Sequence, residues 1–184
     1  MQTEIVISGF GGQGALFAGQ LLAYTGLDHG LHVTWFPSYG PEMRGGTAHC
    51  TVIISEDEIG SPVVKNPSAA IVMNIPSLEK YEALIVEGGV LVINTSLIDR
   101  DATRQDIDII EVPANEIAEQ LGETRLANLV LTGALIERLG VLTIEQVGSS
   151  LAVHIPEHRR NLLDANLKAL ERGAEYGKEP VPAS

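Results

Sequence analysis

The sequence predicts an α/β domain built as three layers, with helices on both faces of a doubly wound, mostly parallel sheet. Three observations lead there. Short runs rich in β-branched residues alternate with segments of helical composition along the whole chain. The first run passes through a glycine cluster directly into a helical segment. Several runs are nearly continuous in apolar residues, as strands buried on both faces require. No repeat, low-complexity tract or linker interrupts the alternation, so residues 1–184 read as a single domain, long enough for one packed core.

Taken in order, Thr3 to Ser8 is the first strand, followed by Gly9-Phe10-Gly11-Gly12-Gln13-Gly14 and a helix over Ala15 to Leu27. That helix carries no charge on any side and must therefore be covered on both, by the sheet and by another domain or subunit. His32 to Phe36 and Thr47 to Ile54 are strands, separated by the loop Pro37 to Gly46. Ala69 to Ile75 and Val90 to Asn94 are core strands flanking a helical stretch from Ser77 to Val86. Ile107 to Val112 is a further strand, and Pro113 starts a helix, since proline suits the first helical position. Arg125 to Leu139 is helical with a Gly140 stop, and Thr143-Ile144-Glu145-Gln146 has capping-box form. The last helix is expected from near Pro156 to about Tyr176.

Charge and composition narrow the function. There are 24 acids against 12 Lys and Arg, a net charge of −12. Nucleic acid and anionic membrane surfaces need clustered positive charge, so both drop out as partners. A single cysteine, Cys50, excludes an internal disulfide, a cysteine-rich zinc site and a self-contained iron–sulfur cluster, and reads as a small core residue. The five histidines show no metal-ligand spacing, and Pro156 separates His154 from His158. Ile5 to Leu27 is uncharged, but six glycines, the preceding Glu4 and the internal Ser8, Gln13 and Gln20 argue against a signal or membrane segment. The expected location is the cytoplasm.

Two glycine-rich loops carry the chemistry. Gly9-x-Gly11-x-x-Gly14 lies between a strand and a helix, where glycines permit a tight turn and close ligand approach, and the helix start offers free amides and a positive dipole end to an anion. Gln13 adds an amide donor and acceptor. The same spacing also suits a tight turn that binds nothing. Ordinary dinucleotide binding needs an acid at the end of the second strand, roughly 20 residues on; Thr34-Trp35-Phe36-Pro37-Ser38 has none. In the second loop Ser38, Tyr39, Glu42 and Arg44 supply functional groups, and Gly45 and Gly46 supply freedom of backbone. Both loops follow strands, so they should share the carboxyl edge of the sheet, bringing Arg44, the only cation before Lys65, near the first helix. Guanidinium and free amides suit a phosphate, diphosphate or carboxylate. Alternatively, Arg44 pairs with Glu42 or another acid to pin the loop. Asn128, set among Leu126, Leu129, Val130 and Leu131, needs partners for its amide, which a cap, a helix–sheet hydrogen bond or a ligand could supply.

These two loops, with Ser61-Pro62 and the helix holding Asn128 and Gly133, resemble the gamma subunit of 2-oxoacid:ferredoxin oxidoreductases over almost the whole chain. Pro41-Glu42-Met43-Arg44-Gly45-Gly46 looks more like the 2-oxoglutarate and 2-oxoisovalerate members than the pyruvate or indolepyruvate ones. The resemblance implies oxidative decarboxylation of a 2-oxoacid with coenzyme A, giving acyl-CoA, carbon dioxide and reduced ferredoxin. It implies thiamine diphosphate, magnesium and iron–sulfur clusters on partner subunits: alpha, a thiamine-binding beta and a ferredoxin-like delta, with a homodimer also open. This chain has neither the thiamine motif nor the cluster cysteines of those partners, so it is not catalytic alone. The expected role is complex assembly and a wall of the coenzyme A site, with Gly9, Gly11 to Gly14, Ser38, Tyr39, Glu42 and Arg44 to Gly46 as the binding residues. Two rival readings remain: an assembly subunit without a ligand, and a freestanding dinucleotide-dependent oxidoreductase.

Overall fold

A computed structural model describes residues 1–38 and 47–178. Six strands form one sheet: β1 (Gln2–Phe10), β2 (His32–Ser38), β3 (Thr47–Ser55), β4 (Ala69–Val72), β5 (Val90–Asn94) and β6 (Asp108–Val112). Their order is β2-β3-β1-β4-β5-β6. The β1–β4, β4–β5 and β5–β6 pairs are parallel, and only β3 runs against the others. A mostly parallel sheet is therefore correct. Chain connections leave β1 towards β2 and β3 on one side and return to β4 on the other, which makes the carboxyl end of β1 the switch point.

Among the described residues six α-helices surround it: α1 (Ala15–Asp28), α2 (Ile75–Tyr81), α3 (Ala114–Gln120), α4 (Ala127–Leu139), α5 (Ile144–His154) and α6 (Leu163–Lys178). The layers are unequal. One face packs Ile5, Ile7, Val52, Ile71, Val92 and Val112 against residues of α1, α3, α4, α5 and α6. The other packs Val6, Val72, Leu91 and Ile93 against Leu78, Tyr81 and Ile85 of α2 and its extension. Each side uses alternate residues of the same strands, so the strands read as unbroken apolar runs.

Several element ends differ from the sequence expectation, each for a local reason. The strand expected to reach Ile75 stops at Val72, because the Asn74 side chain accepts from the Ser77 N–H at 2.8 Å and caps α2. The helix expected to reach Val86 tightens to a 3₁₀ turn at Glu82–Leu84. A 3₁₀ turn at Thr124–Leu126 precedes α4, and another at Glu157–Leu162 precedes α6, so neither helix starts as early as expected. The Thr143–Gln146 capping box forms, and Gly140 ends α4 in the left-handed conformation.

α5 covers part of α1 away from the sheet. Asp28 accepts from the Ser150 hydroxyl of α5, His154 Nε2 lies 3.0 Å from the same carboxylate, and the His154 ring stacks on Tyr24 at 4.3 Å. Phe17, Tyr24 and Leu27 of α1 stay exposed. α4 and α6 meet at backbone contact: a Cβ on Gly133 would lie 2.1 Å from Leu170 O, and one on Gly173 would lie 1.8 Å from Val130 O. Arg138 of α4 clamps this crossing to the sheet by pairing with Asp108 and donating to Gly177 O. Cys50 is fully buried beneath α1, and burial pushes its thiol up to about 12.

Candidate functional site

The site lies at the carboxyl edge of the sheet. Phe10 at the end of β1 pairs with Thr47, while Ser8 and Ser38 both pair with His49. The two ends of the second loop, Ser38 and Thr47, therefore stand at the same edge as Gly9 to Gly14, as expected. Tyr39, Glu42, Arg44, Gly45 and Gly46 fall outside the described residues.

The first loop is built by its glycines. Gly12 has φ +95° and Gly14 φ +82°, both in the region that disfavours side chains. A Cβ on Gly9 would lie 2.5 Å from Gln13 Oε1 and 2.9 Å from Met73 Cβ. Gly14 is the N-cap of α1, and no side chain caps that helix. The first intrahelical bond runs from Ala18 N–H to Gly14 O at 3.0 Å, so the amides of the opening turn are left without helical acceptors. Together with the dipole, that is a terminus suited to an anion.

Two amides hold the loop in place. Gln13 folds back: its Oε1 accepts from the Phe10 N–H and its Nε2 donates to Met73 O at 3.3 Å. Its side chain braces the end of β1 against the residue that follows β4. Asn128, 4% exposed on α4, donates from Nδ2 to Gly14 O at 3.2 Å. The bond it needed is a strap from α4 to the start of α1.

A group of residues not singled out from the sequence completes the edge. A cavity of about 220 Å³ opens beside the loop, walled by Gly12, Gln13 and Met73 on one side and Asn94, Leu97 and Asn115 on another. Thr124, Arg125 and Ala127, leading into α4, close it. Asn94 is the last residue of β5 and 1% exposed; its Nδ2 donates to Asn115 Oδ1 at 2.8 Å, and its Oδ1 has no hydrogen-bond partner. An amide ending the apolar run Val90 to Ile93 was the available signal. On the α2 face, Ser8 and Ser77 share a buried hydrogen bond of 2.8 Å. There the His49 ring lies 6.0 Å from Tyr81, and burial, with Lys80 nearby, holds its pKa below the usual histidine range. No cluster of His, Cys, Asp or Glu among the described residues could hold a metal, and no helix among them is long and apolar enough to cross a membrane.

Comparison with known proteins fits this geometry. The chain is 36% identical over 179 residues to ketoisovalerate oxidoreductase subunit VorA of Methanothermobacter marburgensis, covering 97% of this chain but 37% of that protein. It superposes on the gamma subunit of a keto/oxoacid ferredoxin oxidoreductase from Geobacter sulfurreducens with TM-score 0.82 and 29% identity, covering 95% of this chain and 98% of that one. It also shares its fold, with TM-score 0.88 and 22% identity, with 2-oxoglutarate:ferredoxin oxidoreductase of Magnetococcus marinus, a structure with 2-oxoglutarate, coenzyme A and succinyl-CoA bound; all of this chain and 32% of that one align. The family model for pyruvate ferredoxin/flavodoxin oxidoreductase matches residues 4–176, and the chain belongs to that family.

Proposed function

We propose that this chain is the gamma subunit of a multisubunit 2-oxoacid:ferredoxin oxidoreductase, and that its glycine-loop edge binds a coenzyme A phosphate. The carrying observation is the uncapped start of α1 behind Gly12 and Gly14, standing at the same sheet edge as both ends of the loop that holds Arg44. Helix amides and a guanidinium suit the diphosphate of coenzyme A, and no ribose-reading acid is required. Gln13 and Asn128 act as positioning residues that fix the loop, while the amides themselves make the contact.

The complex is proposed to convert a 2-oxoacid of the 2-oxoglutarate or 2-oxoisovalerate type and coenzyme A to acyl-CoA, carbon dioxide and reduced ferredoxin. Thiamine diphosphate with magnesium supplies the carbanion chemistry and iron–sulfur clusters accept electrons. One buried thiol cannot ligate such a cluster, so these groups belong to alpha, beta and delta partners. An assembly role is supported by the exposed half of the α2 face, where Phe36 is 63% and Phe10 41% exposed. Freestanding dinucleotide chemistry has no support at the end of β2, where Phe36-Pro37-Ser38 offers no acid.

Purification from the native source tests this reading. Recovery with a thiamine-binding subunit and saturable coenzyme A binding that NAD does not compete supports it. Recovery with such partners, but without any coenzyme A contact from this chain, favours the assembly role alone. Binding of NAD or FAD by the purified chain contradicts the proposal.

A further inference from the structure

α2 and its 3₁₀ extension cover only part of one side of the sheet. Val33 and Trp35 of β2 and Cys50, Val52 and Ile54 of β3 pack on the α1 side. The alternate residues, Phe36 and His49 among them, therefore point to the α2 side. The apolar cluster beneath α2 takes no residue from β2 or β3. None of the residues of these two strands on that side is Asp, Glu, Lys or Arg.

The strand register lines up three rings on this bare side. Phe36 stands opposite Thr51, His49 opposite Ser8, and Phe10 opposite Thr47. Each step from Phe36 to His49 to Phe10 crosses one strand and moves two residues along it, the diagonal spacing of about 7–8 Å at which rings still reach one another. The result is a ridge of three rings, with Phe36 63% exposed at one end, Phe10 41% exposed at the other and half-buried His49 between them. Three strands about 4.8 Å apart and seven residues rising about 3.4 Å each give this face a few hundred Å², a size that on a folded chain is often functional.

We propose that this ridge is the contact between two copies of the chain, related by a two-fold axis that lies between the facing sheets and crosses the ridge at His49. The inference rests on the assembly role given to this side of the sheet above, and names its occupant. The two-fold lays Phe36 of each copy over Phe10 of the other and His49 over His49. Matching the more prominent ring to the more recessed one keeps the two sheets level. Charge favours a second copy here: each chain carries −12, so two copies repel wherever their acidic surfaces meet and approach most easily where both are uncharged. The nearest charges stand at the margin, Glu4 at the opposite end of β1 from Phe10 and Lys80 on α2, whose Nζ lies 4.9 Å over the Tyr81 ring. His49, held below the usual histidine range by burial and Lys80, faces its counterpart uncharged at neutral pH. So small a face makes a weak, concentration-dependent dimer.

Sedimentation equilibrium of the full chain, with cross-linking, tests the contact. At about 100 μM, suited to a weak interface, the chain should show a monomer–dimer equilibrium. Phe36→Asp, at an exposed position that leaves the fold intact, enters the dimer twice and should weaken it by about 100-fold, about tenfold at each end. Cys50 is buried and its thiol is pushed up to about 12, so introduced thiols are the ones that react. A bis-maleimide spanning about 10 Å, the distance between packed sheets, should join Phe10→Cys to Phe36→Cys in a mixture and His49→Cys to itself, and neither Phe variant to itself. A chain that stays monomeric at that concentration overturns the inference without any variant having to fold. A dimer indifferent to Phe36→Asp, or a Phe variant that links to itself and not to the other, overturns it as well. Adding the partner subunits should leave the Phe10–Phe36 link in place; its replacement by a link from Phe36→Cys to a partner subunit gives this face to that subunit and overturns the second copy. Native purification without any thiamine-binding subunit removes the oxidoreductase reading and leaves the dimer to these results.

Discussion

Replacing Gly14 by alanine probes the strap that ties the glycine loop to the body of the protein. Two costs follow from the structure. Gly14 has φ +82°, and an L residue there costs about 1–2 kcal/mol. Its new Cβ would also lie 2.4 Å from Asn128 Nδ2 and 2.9 Å from Cγ, so Asn128 must move and its part-buried bond to Gly14 O is lost, at about 1–3 kcal/mol. The sum is about 2–5 kcal/mol, a large part of a typical stability of about 5–15 kcal/mol. At about 2–4 °C per kcal/mol for a chain of this size, the melting temperature should fall by about 5–20 °C. Urea denaturation of Gly14→Ala, Asn128→Ala and the double variant separates the two costs. With Asn128 truncated the collision disappears, and Gly14→Ala should then cost only the backbone share, a coupling of about 1 kcal/mol or more. The reasoning is refuted if Gly14→Ala costs the same in both backgrounds, or less than about 1 kcal/mol in the first.

Other substitutions give contrasting outcomes. Gly12→Ala, with φ +95° and nothing within 4 Å of the new Cβ, should lose only about 1–2 kcal/mol by the same denaturation assay. Gly173→Ala places a methyl 1.8 Å from Val130 O, where two helix backbones would have to separate, and should cost about 3 kcal/mol or more, read as a lower urea midpoint. Glu82 is 8% exposed; burial raises its pKa, but the Arg104 and Thr103 N–H groups and the Thr103 hydroxyl outweigh that and hold it below the usual 4.5. A depressed carboxyl pKa contributes stability that is present above 4.5 and lost as pH falls through the folded-state value, so Glu82→Gln should flatten stability against pH below about 4.5. Cys50, pushed up to about 12 by burial, should resist iodoacetamide at pH 8 in the folded chain and react once it is unfolded; rapid labelling of the native protein would contradict the packing.

Much of this architecture is legible in local sequence. Alternating buried strands and helices, the Thr143 capping box, the Gly140 stop and the glycine turn after β1 are all short-range signals, and all are present. Element ends were less legible because they depend on neighbours: Asn74 ends β4 by capping α2, and three helical stretches tighten into 3₁₀ turns. Nothing in the uncharged stretch Ala15 to Leu27 reveals that Asp28, the residue after it, meets Ser150 and His154 more than a hundred residues away. A separation of 114 residues likewise hides the Asn128–Gly14 strap, and the Asn94–Asn115 bond, 21 residues apart, comes to the same edge only through the sheet order. The partners of the Gln13 amide, Phe10 beside it and Met73 sixty residues away, are set by the loop fold and by the sheet order.

The claim that this subunit holds a coenzyme A phosphate at its glycine-loop edge is tested most directly by steady-state kinetics of the reconstituted complex carrying Arg44→Ala. Loss of a charge-assisted contact to a phosphate should raise the KM for coenzyme A by about 10-fold or more while leaving the KM for the 2-oxoacid unchanged. An assembled complex whose coenzyme A dependence is unaltered by the substitution would contradict it.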